Sequence, residues 1–428
     1  MFKNVISYRV PFVFVAGVFI IYQLVIREGI LPALIFAILP VIGIGCAGIF
    51  HGQLAFYAFF VINYFIMGIS RYFPMKTGMI MLGLTLGLLL LVFLKNIFHP
   101  YDWKRSRNFL TVIWLIWFVY CLLEIFNPTS VIQAWNIAIN GYAFFPLLSA
   151  ILIPILFTRY KDLKWLLILW AFLCLLAAAK GYWQRNHGFD SAELYWLLVE
   201  GGARTHFIYS GVRYFSFFSD AANYGTSMGL SMTIFGIIGF YVRPIWLKFL
   251  FWGTAVASFY GLMISGTRSA VIIPIVGLVT YLILCRNIKY MLFGICILTA
   301  SLLFLTQTNI GNENSLIRRM RTTFDKDDAS MQVRVINKKK MIPLLQDKPF
   351  GIGLGLSGGR ATRFNVDTPL AKLPPDSSHT ATWIETGIVG LLLYFTLLLL
   401  ILAKASYIAV FVVKDKKLKG ILIAFIAL

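Results

Sequence analysis

Polar positions along this chain are sparse and clustered, while apolar positions run unbroken over lengths that neither a strand nor a surface helix needs. Apolar runs fall at about 10–26, 30–50, 52–70, 78–98, 109–126 and 142–157. Six more follow at about 165–183, 225–242, 248–264, 270–285, 290–306 and 381–403. A helix that crosses a bilayer needs about 20 mostly apolar residues. The pattern therefore predicts an all-α polytopic membrane protein with about 12 transmembrane helices. The expected organisation is transmembrane helices over 1–183, an outer loop at 184–224 and central helices over 225–306. A large outer loop with an amphipathic helix then occupies 307–380, and a last span with a tail occupies 381–428.

Composition narrows the class. Of 428 residues, 59% are hydrophobic and 13% charged, against about 25% charged in an ordinary soluble domain. A cytoplasmic globular enzyme, a disordered chain and a nucleic-acid-binding domain are all excluded as first readings. The net charge of +21 points instead to Lys and Arg held against anionic membrane lipid. Cys46, Cys121, Cys174, Cys285 and Cys296 all fall in or beside apolar runs without a CxxC, which reads as buried small hydrophobes rather than a disulfide framework or zinc site. Lys3 and Arg9 precede the first apolar run without a small-residue cleavage site, so a retained first helix is expected. The terminal ILIAFIAL is too short to span, and reads either as part of a further helix or as a segment on the surface.

Charge also sets an orientation. The connections at 95–108, 158–164, 243–248 and 286–289 and the segment 404–419 are basic and alternate along the chain, while 127–141 carries no charge. Short basic loops stay in the cytoplasm, which places the N-terminus there and both long loops on the outer face. Arg71 and Lys76 run against this pattern. The second long loop holds twelve Lys and Arg against seven acids; loops beyond about 60 residues escape the charge rule, so its charge calls for a separate reason.

Four clusters in these loops could carry chemistry. They are GVRYFSFFSDAANYG (211–225), SGTRSA (265–270), RVINKKKMIPLLQDKPFGIGLG (334–355) and PDSSHTATWIETGIVGLL (375–392). Arg268 stands in a tight turn between two spans. It reads either as snorkelling to lipid phosphate or as a fixed fork holding a pyrophosphate. Arg213 has the same two readings, with Asp220 as an orienting partner. Around Arg334, the residues Val335, Ile336, Met341, Ile342, Leu344 and Leu345 mark an apolar face beside Lys338–Lys340, as in a helix lying in the headgroup layer. Gly351, Gly353 and Gly355 lack a following Gly-Lys-Ser/Thr and are not a P-loop. His379, at the outer mouth of the last span, is the candidate general base. Glu385, six residues on, is expected on roughly the same side. No G-x-S-x-G elbow supports a hydrolase triad at Ser377 or Ser378.

Over roughly residues 205–395 the clusters together resemble the O-antigen ligase and O-antigen polymerase family of membrane glycosyltransferases. The resemblance rests on Ser265-Gly266-Thr267-Arg268-Ser269, on Arg334 through Pro349-Phe350-Gly351-Ile352-Gly353, and on His379, Glu385, Gly387 and Gly390. Thr380 stands where the family often has Asn. The resemblance implies a GT-C-like helical bundle in the bacterial inner membrane that works at the periplasmic face without metal or other cofactor. It implies a glycan donor on undecaprenyl pyrophosphate and an acceptor glycolipid, either lipopolysaccharide core or a second lipid-linked repeat unit. Arg213, Arg268 and Arg334 would hold the pyrophosphate and His379 would be the base. Ligase-type transfer is the leading expectation and polymerase the near alternative. A lipid-linked glycan flippase predicts charge at midplane depth, which the spans largely lack.

Overall fold

The computed structural model describes residues 52–73, 75–208, 211–286, 288–308, 318, 321, 329–364, 368–375 and 377–428. The spans expected at 10–26 and 30–50 and Cys46 lie outside the described residues. The chain divides into two compact units, one of residues 1–62 and 81–102 and one of residues 63–80 and 103–428. The described part of the first comprises the start of helix α1 (Gly52–Ile69) and most of α2 (Thr77–Phe98). Both helices are apolar nearly all round, as lipid-facing spans must be.

The second unit carries every candidate site residue named above. Its helices are α3 (Phe109–Phe126), α4 (Ile132–Leu156), α5 (Tyr160–His187), α6 (Ser191–Leu198) and α7 (Ala221–Ile238). Then come α8 (Ile245–Ser265) and α9 (Arg268–Cys285), α10 (Ile288–Gln307) and α11 (Ala329–Leu345). Last are α12 (Ser378–Val412) and α13 (Lys416–Ile426). Among the described residues, eight helices are long and apolar enough to cross a membrane: α1 to α5, α8, α9 and α12. The expected α7 span is a helix of 18 residues, but its first turns carry Asn223, Thr226 and Ser227 and it is buried among its neighbours.

Small residues explain how the core closes. Ala171, Cys174, Ala177 and Gly181 of α5 form one face, which lets Tyr224, Met228 and Phe235 of α7 and Leu262 of α8 approach and bury completely. Without a hydrophobic drive between helices in lipid, such close packing is what holds them together.

Two expected boundaries move. The span placed at 142–157 begins at Ile132, so the uncharged connection at 127–141 is mostly helix. A π-helical stretch at Asn140–Phe144 carries it past two asparagines, and the Asn140 amide donates to the Asn136 carbonyl at 2.9 Å. The last eight residues do not lie on the surface, since Ile421, Ile423 and Ala424 of α13 are buried against the bundle.

Candidate active site

The first two clusters dock on one another. Helix α8 ends at Ser265, Gly266 follows in the left-handed conformation and α9 begins at Arg268, so Gly266-Thr267 forms the whole connection. The Arg213 guanidinium donates to the Thr205 carbonyl at 3.0 Å, the Ser265 carbonyl at 3.3 Å and Thr267 Oγ1 at 2.9 Å. Thr267 Oγ1 passes a bond on to the Ala221 carbonyl at 2.9 Å. Burial lowers the Arg213 pKa from the ordinary guanidinium value, Asp220 opposes this, and the neighbouring positive charge of Arg268 adds to it. Arg213 and Arg268 thus share one turn, although three of the five Arg213 N–H donors are spent on the fold.

Asp220 is not the direct partner expected for Arg213. Its Oδ1 accepts the Asn223 amide at 2.8 Å and its Oδ2 accepts from Ser219 Oγ and Asn223 Nδ2, both at 2.9 Å. It is the N-cap of α7, satisfying a donor that the first helical turn leaves open, and it acts on Arg213 only through space.

The third and fourth clusters also form one object. Helix α12 breaks at Gly387, whose φ of +66° and ψ of −170° are not helical. Sixteen residues of straight helix would separate His379 from Phe395 by about 24 Å, yet their ring centroids lie 4.9 Å apart. The short arm (378–386) therefore folds back along the long arm (388–407). Such a break exposes carbonyls at a helix end, and partners for these come from elsewhere in the chain. Ile352 N–H donates to the Ile384 carbonyl at 2.9 Å, Gly353 N–H to the Glu385 carbonyl at 3.0 Å, and Tyr120 OH to the Thr386 carbonyl at 2.9 Å. Val389 N–H in turn donates to the Pro349 carbonyl at 3.2 Å. Gly351, Gly353 and Gly355, all at positive φ, let the loop lie this close.

Glu385 is buried completely. Its carboxylate accepts the Gly355 amide at 2.9 Å, the Ser357 amide at 3.3 Å and the Ser357 hydroxyl. His379 is exposed in the first turn of the short arm, which Ser377 caps through the Thr380 amide at 3.1 Å. Six residues turn an α-helix by about 600°, so the two side chains face different sides, and the expected His379–Glu385 pairing is not formed. Glu385 fastens the loop and positions the arm that carries His379.

Arg334 is exposed on α11. It lines a cavity of about 260 Å³ with Lys338 and Met341 and with Ser377 and Thr380 of the short arm. That cavity does not include His379, Arg213 or Arg268. The predicted site residues thus gather in two neighbourhoods, Arg213 with Arg268 and Arg334 with the His379 arm.

Several polar residues were not singled out in the sequence. The Arg71 guanidinium lies between the rings of Trp196 and Phe215, at 4.4 and 4.3 Å, and donates to the carbonyls of Phe218 and Ser219. Burial brings its pKa down to about 10, opposed by Glu193, Tyr72, Asp220 and Asp190. It clamps the loop that delivers Arg213 and Asp220. Its conflict with the loop-charge rule was the available signal. Lys180 bridges Asp190 and Glu193, each at 3.1 Å. His206 Nε2 accepts the Ala221 amide at 3.1 Å, which leaves the ring proton on Nδ1, 2.9 Å from the Gly202 carbonyl. Burial lowers the His206 pKa, and the charge of Arg213 adds to this. Glu124, buried at the end of α3, accepts from Asn127 Nδ2 at 3.2 Å beside a cavity of about 600 Å³ that Lys348 and Phe350 also line.

A multi-helix membrane protein with arginines fixed at a helix–helix turn and a broken helix held by a glycine loop is the class these observations define. Residues 253–395 match the family described as O-antigen ligase, and over that stretch the chain resembles the O-antigen ligase and polymerase family. The matched stretch holds Arg268, Arg334, His379 and Glu385, whereas Arg213 and Asp220 precede it. No curated protein and no solved structure matches the chain.

Proposed function

We propose that the chain is an inverting glycosyltransferase that moves a glycan from undecaprenyl pyrophosphate to a sugar hydroxyl on an acceptor glycolipid, in an O-antigen ligase-type reaction at the periplasmic face of the inner membrane. The observation that carries this reading is the placement of Arg213 and Arg268 on one helix–helix turn inside or beside the family-matched stretch. Counting α9 and the span expected at 290–306 as two crossings supports putting the His379 arm at the same bilayer boundary as the end of α8.

In this mechanism the acceptor oxygen attacks the anomeric carbon while the bond from that carbon to the phosphate oxygen breaks. The electron pair leaves with the lipid pyrophosphate, and Arg268, Arg213 and Arg334 neutralise its growing charge. Fixed donors near a low-dielectric boundary do this without reorganising, and one such donor is worth about 10²–10³ in rate. His379 takes the hydroxyl proton, a contribution of about 10²–10⁴. Single displacement inverts the anomeric centre and needs no carboxylate nucleophile, which agrees with Glu385 being committed to the glycine loop. The family resemblance supports a reaction without metal.

The acceptor separates ligase from polymerase. The test is reconstitution of the purified protein with undecaprenyl-pyrophosphate glycan, offering core lipid and lipid-linked repeat unit in turn. Transfer to core lipid is expected. Chain extension alone would establish the polymerase, and loss of neither activity in Arg268→Ala would reject the cradle.

A further inference from the structure

A cavity of about 670 Å³ lies far from the residues discussed above, where α5, α8 and α13 all begin. Its floor is apolar and buried: Leu167 of α5, Ile238 of α7, Leu247 and Phe251 of α8, and Ile421 of α13. Its rim is cationic, with Lys164 in the first turns of α5, Arg243 just before α8 and Lys417 in the first turn of α13. One carboxylate, Asp415, also lines it, but its Oδ1 is occupied in capping α13 through the Lys417 and Leu418 amides at 2.7 and 2.9 Å.

Helix α8 fixes the depth. It runs from this cavity to the Ser265 turn in 21 residues, about 31 Å of rise, which matches the roughly 30 Å hydrocarbon core of a bilayer. The cavity thus opens at the boundary opposite the Arg213–Arg268 turn.

We infer that this cavity binds an anionic phospholipid, with an acyl chain on the Leu167–Leu247–Phe251–Ile421 floor and the phosphate among Lys164, Arg243 and Lys417. Both halves of the lining are needed for the argument. A free phosphate leaves the apolar floor uncovered, and a zwitterionic lipid wastes the rim, whereas a basic pocket between helices at a membrane boundary suits an anionic headgroup. A lipid seated there touches α5, α8 and α13 at once. The inference does not depend on the reaction proposed above.

The test uses the full chain purified in detergent and titrated separately with phosphatidylglycerol, phosphatidylcholine and inorganic phosphate, read by native mass spectrometry and thermal melting. Phosphatidylglycerol is expected to bind at least about fivefold tighter than phosphatidylcholine, since each surface cation is worth roughly that factor, and to raise the melting midpoint. Inorganic phosphate should do neither. The Arg243→Gln/Lys417→Gln variant should lose the preference. Photoactivatable phosphatidylglycerol, applied to the unaltered protein, should label peptides containing Leu247 or Ile421, so the inference stays testable if the variant does not fold. Equal affinity for the two lipids, an unchanged preference in the variant, the same stabilisation by phosphate alone, or labelling confined to other peptides would each overturn it.

Discussion

The Glu385 carboxylate holds the amide of Gly355 at 2.9 Å across thirty residues of sequence, and through that bond two separate family motifs become one piece of structure. Removing the acceptor strands two buried amides and a hydroxyl. Glu385→Ala is expected to destabilise the protein by about 2–4 kcal/mol, read as a lower midpoint in detergent, and to lower transfer along with it. Glu385→Gln, which keeps an acceptor oxygen, should recover part of both. Normal stability in Glu385→Ala would show that the loop is held by its backbone bonds alone.

Gly387→Ala should be among the most damaging single-methyl changes in the chain. A left-handed φ costs an ordinary residue about 1–2 kcal/mol, and a Cβ there collides with the Pro349 carbonyl. Gly83→Ala in α2 meets nothing within 4 Å and should be neutral or mildly stabilising. Comparing expression and melting of the two variants separates the hinge from a generic helix glycine.

Arg213 and Arg268 should differ in what their loss does. Arg213→Lys cannot reach three acceptors at once and is expected to lose about 1–3 kcal/mol of stability as well as transfer. Arg268→Ala should cut transfer by about 10²–10³. A stable Arg213→Lys protein with full activity would mean that the clamp is dispensable.

His379→Ala removes an exposed side chain, so membrane insertion and melting should be retained while transfer falls by about 10²–10⁴. Full transfer in the purified variant would remove His379 from the mechanism. The short arm would then be only a scaffold.

Acid should act first through His206. Its folded pKa is lowered by burial, so between that value and the ordinary imidazole value of about 6.5 the unfolded chain binds the extra proton. Stability is therefore full above about pH 6.5 and falls as pH drops through that window. Asp190 contributes separately: burial raises its pKa, but bonds from Tyr72, the Glu193 amide and Lys180 lower it on balance. Its share is lost only as pH falls below about 4. Melting curves of the parent and His206→Asn from pH 7.5 to 5 check the first step, which the variant should flatten.

Eight of the twelve expected crossings were legible in the sequence because lipid imposes long apolar runs. The α4 start was not, because Asn136 and Asn140 look like a loop until the Asn140 amide is seen donating to the Asn136 carbonyl within the helix. Pairing Glu385 with His379 failed for a related reason. Spacing along one helix says nothing of a loop from elsewhere that claims the carboxylate, nor of a reversal at Gly387. Arg71 showed only as an exception to the loop-charge pattern and Lys180 not at all, because their partners lie more than a hundred residues away or on another element. Arg268 stood out because a two-span turn confines a guanidinium wherever the rest of the chain goes.

The reversal at Gly387 also bears on motion. Pulling the glycine loop off the short arm would strand the Ile384 and Glu385 carbonyls at a boundary where water is scarce, at a cost of several kcal/mol. Loop and short arm are therefore expected to move as one body.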